Sequence, residues 1–195
     1  MVAEKPRQPE EVPVLSYEAQ PEASNLVLPK SAKLSTGSQW QDFHFEIQQQ
    51  PAHDTGEHRH QMHILTMVTS GTPINQTIDG HSQRNLVGHN NAFILPAGAL
   101  HRCNWQQNLE FMFVGLDPHV FVQVGQELVN PDRMELIPHF ATIEDPLLQG
   151  ILLTLKQEMI TSGLNTQLFV DQLKMTLVMH LLRSYGIQKV QIATY

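Results

Sequence analysis

Cysteine is nearly absent: Cys103 stands alone in 195 residues, so no internal disulfide can form and the fold must be held by burial and hydrogen bonds. Basic charge is scarce as well. Twelve Lys and Arg are scattered among nineteen Asp and Glu, giving a formal net charge of -7, and no basic stripe could track a phosphate backbone. Direct nucleic-acid binding by this chain is therefore not expected. No run approaches the roughly 18 uninterrupted apolar residues that a spanning helix needs, so membrane insertion is not expected either. No basic start leads into an apolar segment, which makes the cytoplasm the expected compartment. A phosphate-cradling glycine loop, a CxxC pair and a Ser-His-Asp order are all missing.

Histidine, by contrast, is abundant, with eleven copies, and a 41% hydrophobic content over this length suffices for one core. Residues 1–24 are rich in Pro, Glu and Gln, cannot repay the entropy of ordering, and read as a flexible tail. Residues 25–195 read as a single domain, divided into a barrel over 25–116 and a helical element over 117–187. In 40–47, Phe43, Phe45 and Ile47 alternate with Asp42, His44 and Glu46, the period of a half-buried strand. Stretches 62–68, 73–78, 91–95 and 111–116 continue the β pattern, and Asp79-Gly80 is a hairpin turn because both positions accept positive φ. Short strands at this spacing favour a closed antiparallel barrel.

After Leu116 the period lengthens to about 3.6. Asp117-Pro118 starts one helix. Asp145 caps the next with Pro146 at its first position, and Leu148, Leu152, Leu155 and Met159 form its apolar stripe up to Gly163. Asn165 or Thr166 caps the last helix. There Phe169, Leu173, Leu177, Leu181 and Leu182, with Met175 and Val178, spread apolar surface over more than one packing partner needs, which points to a homodimer.

The chemistry concentrates in two segments, GEHRHQMH at 56–63 and PAGALHRCNW at 96–105. His58 and His60 are two apart and point to one face of an extended backbone, and His101 follows the turn residues Pro96 and Gly98. Three neutral imidazoles that converge suit a divalent transition metal such as Zn, Fe, Ni or Cu with an open position. The same three groups equally suit a metal-free polar pocket, in which they donate to or accept from a ligand. Position 64, four residues after His60, is isoleucine, so no carboxylate completes a metal set there, and no stoichiometric metal is expected. His63 falls on the opposite face. His53, His81, His89, His119 and His139 read as solvated loop residues, His180 as a satisfied core or interface histidine, and Cys103 as an inert thiol.

These two segments resemble the histidine-bearing halves of a cupin barrel. More specifically, NNAFILPAGALHRCNW, FMFVGLDPHVF, ELIPHFATIEDPLLQ and LVMHLLRSYG, in that order, resemble the N-terminal half of AraC-type transcriptional regulators over about residues 34–185. The resemblance implies a cupin-like barrel (double-stranded β-helix) that binds a small-molecule effector, followed by an α-helical hairpin that dimerises the protein. It places His58, His60, His101 and Trp105 in the effector pocket. In that family a separate module with two helix-turn-helix motifs binds DNA, and residues 1–195 contain no such module. The expectation is thus a non-enzymatic sensory domain, and the rival is a small metal-dependent cupin dioxygenase or isomerase that uses His58, His60 and His101.

Overall fold

The computed structural model describes residues 11–36, 40–128, 136–161 and 166–187. Its first strands are β1 (Val14–Leu15), β2 (Leu34–Ser35), β3 (Phe43–Gln50), β4 (His53–Asp54), β5 (Arg59–His60) and β6 (His63–Val68). They are followed by β7 (Thr72–Ile78), β8 (His81–Val87), β9 (Ala92–Leu95), β10 (His101–Trp105) and β11 (Leu109–Leu116). Then come α1 (Pro118–Leu128), β12 (His139–Ile143), α2 (Pro146–Thr161) and α3 (Thr166–Tyr185). One sheet runs β4-β10-β7-β8 and the other β12-β9-β6-β11-β3-β2, with antiparallel neighbours throughout.

Strand periodicity divides the apolar residues between two cores, because successive side chains leave a strand on opposite faces. Between the sheets lie Ile64, Val68, Ile74, Phe93, Leu95 and Phe113, which fill the interior of a cupin-like barrel. On the outer face of the larger sheet, Phe43, Phe45, Leu65, Met67, Ile94 and Val114 meet Val120, Phe121, Leu152 and Leu155 of the helices. The architecture is mainly β with C-terminal helices, as the residue pattern and the resemblance led one to expect. The hairpin between β7 and β8 turns at Asp79 (φ 46°) and Gly80 (φ 81°), both left-handed as a type I′ turn requires.

Both Asp-Pro pairs start helices. The His119 amide donates to Oδ1 of Asp117 at 2.9 Å, and those of Leu147 and Leu148 donate to Oδ1 of Asp145 at 2.9 and 3.2 Å. The other oxygen of Asp145 accepts from Nε2 of His180 and the hydroxyl of Tyr185, each at 2.7 Å, so one carboxylate ties the start of α2 to the end of α3. His180 is satisfied, as anticipated. The expected endpoints at Gly163 and Asn165 lie outside the described residues.

Three sequence expectations are corrected. Residues 11–24 do not form part of a flexible tail. β1 pairs in parallel with β5, and Leu15 and Tyr17 are buried in the barrel core, the apolar gain that the Pro- and Glu-rich surroundings concealed. Residues 1–10 lie outside the described ones. Second, Leu177 and Leu181 are buried in the chain's own core, because α3 packs on both α1 and α2 and uses those positions itself. They are closed to a second copy. Leu173 and Leu182 are half-buried against the same core, and Phe169 alone of the five faces solvent, 46% exposed. Third, His139 belongs to β12 and is half-buried against the ring of Tyr185.

A buried histidine cluster in the barrel

The backbone brings the first and last of the three histidines side by side. His58 and His101 form an antiparallel bridge, each amide donating to the other's carbonyl at 2.9 Å, while β5 carries His60 to the same rim. Gly98, at φ 80°, donates its amide to the His60 carbonyl at 2.8 Å, which fixes the turn from which His101 emerges. One nitrogen from each of His58, His60 and His101 lies within 4.8 Å of the others. Ring centroids are 5.0 Å apart for His58 and His60 and 5.1 Å for His58 and His101, near perpendicular in both pairs.

All three rings are buried, and burial holds their pKa values below the ordinary histidine value, well below it for His60 and His101. Mutual repulsion adds to this for His60 and His101. At neutral pH the cluster carries no charge. Nδ1 of His58 lies 3.1 Å from the Gly56 carbonyl, which can only accept, so Nδ1 carries the proton and Nε2 a lone pair. That lone pair accepts from Nδ1 of His101 at 3.4 Å, which leaves Nε2 of His101 as a buried lone pair, without a protein partner. His60 meets the hydroxyl of Tyr17 through Nδ1 at 3.2 Å.

The cluster borders an interior cavity of about 70 Å³. Trp105 lines it, with its indole N–H donating to the Pro51 carbonyl at 2.7 Å, and so does Ile64, four residues after His60, which offers no fourth metal ligand. The remaining wall is largely apolar and includes Val68, Ile74, Phe93 and Phe113. His63 points to the other side, where Nδ1 accepts the Ala97 amide at 3.0 Å and the ring packs on Phe121. Cys103 also lines the cavity, and burial pushes its thiol up to about 12, which leaves it protonated and unreactive.

Two features escaped the sequence reading. Tyr17 closes the cavity beside His60, stacked on His44 with ring centroids 4.3 Å apart. Next to it the polar face of β3 is buried rather than solvated. Glu46 accepts from Nε2 of His44 at 2.8 Å, Nε2 of Gln48 at 2.5 Å and the Ser24 hydroxyl at 3.2 Å, and Gln50 donates to Gln48 at 2.6 Å. The alternation was visible, but nothing in it revealed that residues 15–28 would cover its polar side.

The sequence matches no family model and no curated protein. Several solved structures share limited similarity with it. A cupin domain from Bordetella pertussis is 17% identical over 38% of this chain and 81% of that one, with a TM-score of 0.34. A cupin superfamily protein from Desulfitobacterium hafniense is 14% identical over 43% and 76%, with a TM-score of 0.37. A cupin-2 domain protein from Shewanella frigidimarina is 11% identical over 45% and 83%, with a TM-score of 0.36.

Proposed function

We propose that the chain is the effector-sensing and dimerisation domain of an AraC-type transcription regulator, which binds a small molecule inside its barrel and has no DNA-binding module of its own within these residues. One observation carries the reading: a cavity in the barrel bordered by three neutral imidazoles, one with a buried lone pair and no protein partner. Buried polar groups are normally satisfied, and those that are not commonly await a ligand or water. Self-association would use the outward side of α3, where Leu168 is 70% and Phe169 46% exposed. The test is a ligand-detected NMR screen of small organic compounds on chelator-treated protein, repeated on Ile64→Phe, which fills the cavity, with sedimentation of each hit complex. The expected result is a hit that is lost in Ile64→Phe and that changes the dimer constant several-fold. Hits that persist in Ile64→Phe would place binding elsewhere.

One observation favours a second reading, a metal-dependent cupin enzyme. Nε2 of His58 and Nδ1 of His101 are 3.4 Å apart, close to the ~3.3 Å edge of a tetrahedron with zinc–nitrogen bonds of about 2.0–2.1 Å. His58, His60 and His101 would hold the ion, which would supply Lewis-acid chemistry, with Ile64 offering no fourth donor. Elemental analysis finding about one Zn, Fe, Ni or Mn per chain, lost in His58→Ala His101→Ala, would establish this reading over the first.

A further inference from the structure

The cavity wall also constrains what it accepts. Among the described residues that line it there is no Asp, Glu, Lys or Arg, and its three histidines are the only titratable groups besides Tyr17 and Cys103. Tyr17 and Cys103 both keep their protons, since burial raises each, with Glu46 and Asp54 respectively adding to the effect. An ion that entered would lose its water and meet no counter-charge, a penalty that imidazole hydrogen bonds alone do not offset. The polar opportunity is also directional. The Gly56 carbonyl fixes the His58 tautomer, His58 fixes that of His101, and the chain ends on a lone pair at Nε2 of His101. Such an atom accepts a hydrogen bond and cannot donate one. Elsewhere the cavity wall is apolar, and Phe93, Ile74 and Leu95 reward hydrocarbon. The volume, about 70 Å³, is roughly half of the ~150 Å³ that admits benzene, so only a few heavy atoms fit unless the wall yields.

We infer that the barrel takes a small, neutral, mostly apolar molecule with one hydrogen-bond donor, a hydroxyl or an N–H, placed on Nε2 of His101. This rests on the cavity being the sensory site. Carboxylates and ammonium ions are excluded as its ligands, because each brings charge to a wall without a counter-charge, and polyhydroxylated sugars because they bring many polar groups to a wall that offers, besides the histidines, only the hydroxyls of Tyr17, Ser24, Thr55 and Thr66.

The test follows the ¹⁵N resonance of Nε2 of His101 at neutral pH in chelator-treated wild-type protein, titrated separately with isobutanol, pyrrole, propionate and propylammonium. Isobutanol and pyrrole are expected to give saturable shifts, with midpoints in the millimolar range that ligands of so few atoms allow. Propionate and propylammonium are expected to give none at the same concentrations. Saturation by a charged probe but by neither neutral one overturns the inferred class and leaves the cavity as the sensory site. If none of the four probes acts, the inference falls too. If, in addition, every hit from the broader screen persists in Ile64→Phe, the reading of the cavity as a site falls with it.

Discussion

The hydroxyl of Tyr17 lies 3.2 Å from Nδ1 of His60, and through this contact a segment that reads as a tail becomes a wall of the barrel. β1 brings the segment there by pairing Leu15 with His60, and the Gln61 amide donates to the Leu15 carbonyl at 3.0 Å. Leu15→Ala should therefore cost about 2–4 kcal/mol, as for other buried leucines. Tyr17→Phe leaves His60 without its Nδ1 partner and should cost about 1–3 kcal/mol. Urea denaturation measures both. Losses under about 0.5 kcal/mol in each would mean that residues 11–24 contribute nothing to the barrel.

Acid should destabilise the protein through its buried histidines before most carboxylates titrate. His63 is held down to about 4, chiefly by burial, which its neighbour Asp117 only partly offsets, against an ordinary value of 6.5. The unfolded state binds this proton first, so the contribution is whole above pH 6.5 and is lost progressively as the pH falls from 6.5 to about 4. A shift of this size corresponds to roughly 3 kcal/mol. His58, His60 and His101 are shifted in the same direction and add to the slope below pH 6.5. Unfolding free energy measured from pH 8 to pH 5 should fall steadily below 6.5, and less steeply in His63→Gln. A flat profile would show that these rings are solvated.

Asp145 should be the most sensitive single carboxylate in the helical layer. Burial pushes its pKa up, but hydrogen bonds from His180, Tyr185 and the Leu148 amide outweigh burial and leave it below the usual carboxylate value. Its stabilisation is present above that ordinary value and lost as the pH falls through the lowered one. Asp145→Ala removes a helix cap and strips two side chains of their acceptor, for an expected loss of about 2–4 kcal/mol. Asp145→Asn keeps the geometry and should lose less. Equal losses in the two variants, read by thermal unfolding, would mean that the charge, and not the retained cap geometry, carries the stabilisation.

The two sides of α3 should respond oppositely to charge. Leu181→Glu buries a carboxylate in the chain's own core and should unfold the protein. Leu168→Glu with Phe169→Glu lies on exposed surface and should leave the melting temperature within about 3 °C. If α3 joins two copies, that double variant should sediment as a monomer at tens of micromolar while the wild type sediments as a dimer. A dimeric double variant would exclude this face.

What the sequence disclosed divides along physical lines. Local chemistry was legible: Asp117 and Asp145 cap helices because a carboxylate before proline has few other uses, and Asp79-Gly80 turns because both residues tolerate positive φ. The convergence of His58, His60 and His101 followed from strand period and turn placement. Non-local covering was not legible. The wide apolar surface of α3 told how much would be buried, not which partner would bury Leu177 and Leu181. Tyr17 gave no signal because its neighbours are polar, and the row of His44, Glu46, Gln48 and Gln50 resembles any solvent-facing strand side until residues 15–28 are folded over it. β8 carries the pattern HSQRNLV, in which only Asn85 and Val87 are buried, too few to announce a strand.

Three uncharged imidazoles line the barrel interior, and Nε2 of His101 is a buried lone pair without a protein partner. Long-range ¹H–¹⁵N correlation of the histidine side chains, on metal-free protein from pH 8 to pH 5.5, reads tautomer and charge at each nitrogen directly. His58 and His101 should be neutral at pH 8, both protonated at Nδ1 and bare at Nε2, with any titration lying below the ordinary histidine value and furthest below it for His101. Titration of either ring near 6.5, or a proton on Nε2 of His101, would contradict this assignment.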